Sequence, residues 1–493
     1  MSGVFDPMKY LLKQGGRVLF PEVFGLGKNN AKFMGRSERK RLLSQNHTGI
    51  VINGSNERLS ADDSFRNLAF ISTTGGGKTS GYIIPNILYR PEGSMVITDP
   101  SGSLFTQTSG SLERRGYQIK ILDPMNLTQS IRFNPFSNLN SYSEVDEVAH
   151  ILVRTANPNT KDPFWNNGAE TIIAILARVL RKHPQGYKYA NPANILHLLN
   201  NFEDGTPLNP LISKYADEQT FAQYKGFISN APNTLQGLLS TAKVSLKAFA
   251  DPQIAKLTAY TDFKFDELRQ QKTAFYLIFP QNKISYYSFL MNIFYTKLFH
   301  YCLDNKTFSS SSLPIYFFLD EFGHLNIPNF SSIITTTRQR KISISIILQS
   351  ISQLEAQYGK NDAHTILHGG VASRIFSSGL DTPTNQMIAE TLGTRRHEIY
   401  TSDDGLQVRD DPILDAYQIR TMEDNEALLL LANKKPIKLR ILRHFENKAF
   451  KKELKRMPAQ VPASKGYKLE YIKLEGSKPS TDGISKTRGS RER

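Results

Sequence analysis

The sequence predicts an α/β fold, a mostly parallel sheet with an all-α domain inserted into it. Two patterns carry that reading. Short runs of continuous apolar residues, such as "LAFIS" (68–72) and "IYFFLD" (315–320), alternate with amphipathic stretches, as strands buried on both faces of a parallel sheet do. Between 164 and 270 the apolar residues recur only at helical spacing, with no strand signal among them.

Taken in order, residues 1–60 read as a basic, glycine-punctuated arm whose densest charge run is "GRSERKRLL" (35–43). That run suits a solvated surface as well as a binding patch. The sheet domain opens at 61–163 with strands "LAFIS", "MVITD" (95–99) and "IKILD" (119–123). In the insert, 164–270, "AETIIAILARVLRK" repeats its apolar residues helically, and Asn191 caps a helix that has Pro192 at its first position. Further on, Leu235, Leu238, Leu239, Ala242, Leu246 and Phe249 share one helix face. The sheet domain resumes at 271–450 with "AFYLIFP" (274–280), "IYFFLD", "ISIIL" (344–348) and "RIFSSG" (374–379). Residues 451–493 lose apolar periodicity and read as a flexible basic tail.

The chain's 493 residues suffice for two or three domains, and 39% hydrophobic residues supply their cores. A net charge of +16 implies a polyanionic partner or surface: nucleic acid, nucleotide phosphates or an anionic membrane face. Cys302, the sole cysteine, excludes an internal disulfide framework and a cysteine-rich metal site. The 10 histidines form no ligand-spaced cluster, which argues against a metal hydrolase or nuclease. The start lacks a signal-peptide pattern, and no apolar run reaches the roughly 18 residues a membrane helix needs. The expectation is a soluble chain that reaches any membrane through a partner.

The chemistry begins at "ISTTGGGKTSG" (71–81), a glycine-rich turn directly after a strand and before a helix. Backbone N–H groups of Thr73, Thr74, Gly75, Gly76 and Gly77 can surround phosphates there, because the glycines remove side chains that would block the approach. Lys78 would reach the β/γ-phosphates and Thr79 would ligate Mg²⁺. The usual pattern has glycine at position 72, where this chain has serine; Ser72 sits where strand turns to loop, away from the phosphates. Gly81 and Pro85 weaken the helix that follows and predict a kink near Pro85. The second half of such a site is a buried strand ending in acid. "IYFFLDEFG" supplies Asp320 for the Mg²⁺ shell and Glu321 to polarise the attacking water. "SISIILQS" ends in Gln349, placed to sense or orient the γ-phosphate from a neighbouring strand tip. Arg338 and, second, Arg340 lie before that strand, where an arginine of a ring NTPase can reach a neighbouring subunit's nucleotide.

These residues, with "VITDPSGSL" (96–104), "FNPF" (133–136), "DPFWNNGAE" (162–170), "SISIILQSISQLEAQYG" (343–359) and "SSGLDTPTNQMIAETLG" (377–393), resemble the type IV coupling proteins of the TraG/TraD type, from about 47 to 447. The resemblance implies a RecA-like P-loop ATPase domain that uses ATP and Mg²⁺ and forms a homo-hexamer. It implies recruitment of a relaxase on single-stranded DNA and ATP-driven transfer to type IV secretion channel subunits at the inner membrane. Members of that family usually begin with membrane-spanning helices, so a separate membrane anchor protein is expected for this chain, at a cytoplasmic, peripheral location. The family's "DPKGE" reads "DPSGS" here, with Asp99 kept and Ser101 and Ser103 in place of a lysine and an acid. Two other readings stay open: a nucleotide-regulated recruitment adaptor for secreted proteins, and an FtsK/HerA-like DNA translocase.

Overall fold

Nine strands make the central sheet of the computed structural model, which describes residues 31–139, 141–158, 160, 162–401, 405–462 and 468–474. In chain order the strands are β1 (Leu68–Ile71), β2 (Ser94–Asp99), β3 (Gln118–Leu122), β4 (Thr273–Ile278), β5 (Ile315–Leu319), β6 (Ile342–Leu348), β7 (Ser373–Ser377), β8 (Thr394–Thr401), β9 (Gly405–Pro412), β10 (Glu426–Leu431) and β11 (Ile437–Arg440). Their order across the sheet is β11-β10-β7-β1-β6-β5-β2-β4-β3, while β8 and β9 form a separate antiparallel pair. From β7 to β3 every pairing is parallel. All seven predicted apolar runs therefore send their C-terminal ends to one edge, where ligands of open α/β sheets bind. β10 and β11 add an antiparallel border that the sequence reading omitted. "EALLLL" is as apolar as any predicted strand, and "IKLR" alternates buried with exposed residues only once β10 lies beside it.

Two compact units are present. Among the described residues, one comprises those up to Leu122 and Phe265–Val461; the other comprises Asp123–Lys264 and those from Pro462. Among the described residues from 123 to 264 the second unit has helices and connecting loops but no strand, and it begins at Asp123 rather than at 164. Its helix Pro163–Lys182 packs against Pro232–Ser245 at short range. A Cβ on Gly168 would lie 2.4 Å from Leu238, and one on Gly237 would lie 2.4 Å from the Trp165 ring. "DPFWNNGAE" thus supplies a close helix contact. Asn191 accepts from the Asn194 N–H at 3.0 Å, the cap that the sequence indicates.

Both ends of the chain differ from expectation. Residues 1–30 and 475–493 of the expected arm and tail lie outside the described residues. The rest of the arm is not a solvated extension: Leu43, Ile50, Ile52 and Leu59 are buried in the first unit's core. Arg39 in helix Arg36–Leu42 donates to both carboxylate oxygens of Glu57, at 3.2 and 2.7 Å. The start of the tail is packed too. Glu453 accepts from Ser111 of helix Ser103–Arg114 and from Arg115 at its C-terminal cap, and the Ala459 N–H donates to Ser109 at 3.0 Å. Such contacts between distant segments leave no local periodicity to read.

Candidate nucleotide site

The phosphate loop leaves β1 at Ser72, which is buried and still paired: its N–H donates to the Leu348 carbonyl of β6 at 3.0 Å. Its hydroxyl accepts from Ser377 at the tip of β7, at 2.8 Å. Gly75 and Gly77 both have φ of +88°, which side chains rarely adopt. Gly76 is needed for space, since a Cβ there would lie 2.2 Å from the Ser72 hydroxyl. Thr73 is half-buried and its carbonyl accepts from the Gly76 N–H at 3.2 Å, whereas Thr74 and Gly75 are exposed at the loop's tip.

Lys78 folds back into this cradle. Its ammonium donates to the carbonyls of Ser72 at 2.7 Å and Thr73 at 3.2 Å, and the side chain is buried. Burial lowers its pKa, and Glu321 and Asp320 oppose the shift. The predicted kink falls earlier than Pro85. Lys78–Ile83 forms a widened π-type turn and Ile84–Tyr89 a regular helix, with Pro85 in its first turn where a missing N–H costs little. Gly81 lets Ile441 sit against that turn, because a Cβ would lie 2.2 Å from the isoleucine methyl.

The acids arrive from β5. Asp320 is buried just past the strand, and Thr79 donates to its carboxylate at 3.4 Å. Burial, and then the neighbouring Glu321 charge, push the Asp320 pKa up to about 6; the Glu321 N–H, Lys78 and Thr79 pull the other way. Glu321 has φ of +52°, an unusual conformation for a non-glycine residue and one held here at a strand tip. Its carboxylate accepts from the Gln349 amide at 3.2 and 3.1 Å, and His324 stands 4.0 Å away. Because β6 lies between β1 and β5, Gln349 stands between the lysine loop and the acids. Lys78, Thr79, Asp320, Glu321 and Gln349 therefore converge at one edge of one sheet.

Arg338 and Arg340 do not join them. They precede β6, at the opposite edge of the sheet, and seven strand residues at about 3.3 Å each put roughly 20 Å between those edges. Arg338 is exposed; Arg340 donates to Asn305 and lies over the Phe308 ring at 5.6 Å. Three contacts at the loop were absent from the sequence reading. Besides Ser377, Arg443 reaches the Gly75 carbonyl at 3.5 Å, and the His444 N–H donates to the Ser80 carbonyl at 2.7 Å. Ser377, at the end of "RIFSSG", was findable as a strand tip beside β1. Arg443 and His444 follow β11, and only the tertiary fold brings them near. Asp99, at the tip of β2, is buried and accepts from the Phe105 N–H at 2.8 Å, fixing the turn into the next helix.

The model of the family described as Type IV secretory system Conjugative DNA transfer matches residues 29–467. The chain belongs to this family. Among curated relatives, VirD4 of Rhizobium radiobacter is 24% identical over 416 residues, covering 80% of this chain and 59% of that protein. The conjugal transfer protein TraG of the same organism is 23% identical over 344 residues, covering 66% of this chain and 52% of its own length. The chain thus spans little more than half the length of these relatives. Two solved structures of TrwB share its fold. The bacterial conjugative coupling protein TrwBdeltaN70 in complex with sulphate gives a TM-score of 0.64 at 16% identity, covering 90% of this chain and 100% of that one. The plasmid coupling protein TrwB in complex with ADP and Mg²⁺ gives 0.63 at 17%, covering 84% and 94%. The coupling-protein fold is accordingly a RecA-like P-loop domain with a helical domain. Among the described residues, no helix is long and apolar enough to cross a membrane.

Proposed function

We propose that this coupling protein binds ATP with Mg²⁺ on the loop from Thr73 to Thr79 and hydrolyses it to drive single-stranded DNA toward a type IV secretion channel. The observation that carries the reading is the meeting of Thr79 and Asp320 at 3.4 Å, beside a loop whose lysine already lies in its cradle. These groups fit the ligand. Gly76 has no room for a side chain, and Thr79 with Asp320 offers one hydroxyl and one carboxylate. That is the sparse protein set Mg²⁺ takes when phosphate and water complete its shell. That TrwB was solved with ADP and Mg²⁺ supports the same reading.

When bound, Mg²⁺-ATP supplies a transferable phosphoryl group whose charge the metal partly neutralises. Lys78 turns its ammonium from the loop's own carbonyls to the phosphates, exchanging weak acceptors for charged ones. Glu321, held by the Gln349 amide, orients the attacking water and draws on its proton. Arg338, with Arg340 as second choice, serves a nucleotide held by the next copy in a homo-hexamer, since neither reaches the site of its own chain. Relaxase recruitment, channel subunits at the inner membrane, a separate membrane anchor and a peripheral cytoplasmic location complete the proposal.

ATP turnover, measured with and without single-stranded DNA, tests it. Stimulation by DNA of at least several-fold is expected. Turnover indifferent to DNA would favour the recruitment adaptor instead.

A further inference from the structure

A second feature lies at the edge of the sheet away from the nucleotide loop. There a cavity of about 260 Å³ is lined by Arg66, Arg338 and Arg374 with His368, and among the described residues no aspartate or glutamate lines it. Arg374 projects from β7, and its buried Nε has no hydrogen-bond partner. One Nη of the same guanidinium donates to His368 Nδ1 at 2.9 Å, so the ring accepts there and carries its proton on Nε2. Arg66 leans on Asp63 at a loose 3.9 Å, and Arg338 is exposed. Asn67 fixes the floor: its amide donates to the carbonyls of Ile334 and Gly370, both at 2.9 Å, and to Thr337 at 3.1 Å. Three guanidiniums are therefore gathered on a pinned frame, and the loose Asp63 contact to Arg66 leaves an excess of positive charge.

We infer that this cavity is a second oxyanion site, which takes a phosphate group. Planar guanidiniums bind phosphate oxygens in pairs, and three of them overcompensate a single carboxylate. The volume falls short of the roughly 300 Å³ at which pockets for whole small molecules begin, but it holds a phosphate group. Two sources share that chemistry: the backbone of a nucleic acid strand, or the phosphates of a nucleotide on another copy of the chain. The second source rests on the hydrolysis proposed above; the first does not.

The test uses Arg374→Gln and, because its surface position leaves folding untouched, Arg66→Gln in the full chain. A labelled oligothymidylate of about 30 nucleotides is titrated by anisotropy at several salt concentrations, beside Mg²⁺-ATP affinity and turnover. If the phosphate comes from DNA, each variant binds oligothymidylate about three- to tenfold more weakly, with the log–log salt slope reduced by about one. ATP affinity stays as in the parent. If it comes from a neighbour's nucleotide, oligothymidylate binding is unchanged and turnover falls at least tenfold. Mixing with Lys78→Ala subunits then restores part of it. A parent chain without turnover would instead remove the hydrolysis reading, leaving the DNA arm to decide the site. Oligothymidylate affinity, salt slope and turnover all unchanged in both variants would overturn the second site.

Discussion

Gly75, Gly76 and Gly77 look interchangeable in sequence, yet they answer to two different constraints. Gly75 and Gly77 need their left-handed backbone, while Gly76 needs the volume, with the Ser72 hydroxyl 2.2 Å from any Cβ and the Ser377 hydroxyl 3.0 Å away. Gly76→Ala should therefore push the loop off its cradle and weaken ATP binding at least tenfold, about 1.4 kcal/mol, by calorimetry. Adding Ser72→Ala removes the nearer clash and should recover part of the loss, a coupling that two independent defects would lack. The same geometry accounts for serine at position 72. Its hydroxyl ties the loop's entry to β7 through Ser377, and Ser72→Ala alone should cost no more than about 1 kcal/mol of stability.

Among the elements, β6 decides the most, because it carries Gln349 at one end and follows the two arginines at the other. In the proposed mechanism, an arginine at that far edge would act on a nucleotide held by a neighbouring subunit. Arg338→Ala should lose turnover by tenfold or more, and mixing it with Lys78→Ala subunits should restore part, since each supplies a different half of a shared site. Absence of rescue in mixed-subunit turnover assays, with Arg340→Ala rescued instead, would move the role to Arg340. The segment after β11 makes a second, structural case. Hydrogen bonds from Arg456 and Ser111, with Arg115 beside them, hold the Glu453 pKa down to about 2 against an ordinary 4.5. A depressed carboxylate adds stability that is fully present above the unfolded value and is lost as pH falls toward the folded one. Glu453→Gln should thus melt a few degrees below the parent near neutral pH, about 1 kcal/mol for a carboxylate whose side chain is 14% exposed. The gap should close between about pH 5 and pH 2.

Across the whole molecule, what the sequence disclosed follows from how local each signal is. Seven parallel strands were legible because burial on both faces leaves an unbroken apolar run in each. Lys78, Asp320 and Glu321 were legible because strand, turn and charged residue are contiguous in the chain. Arg443 and His444 reach the same loop from a segment more than 300 residues away, and no period or spacing marks them. The buried Leu43–Leu59 region and the Glu453 clasp escaped for the same reason: their partners are remote. A net charge of +16 belongs to this scale as well, since the proposed motor, tracking phosphates without reading sequence, should bind single-stranded DNA with a steep salt dependence. The most direct measurement of the central claim pairs Mg²⁺-ATP binding with turnover in Lys78→Ala and Glu321→Gln. Loss of binding in the first, with binding kept and turnover down at least a hundredfold in the second, is the predicted result. Parent-like affinity in Lys78→Ala, or parent-like turnover in Glu321→Gln, would contradict it.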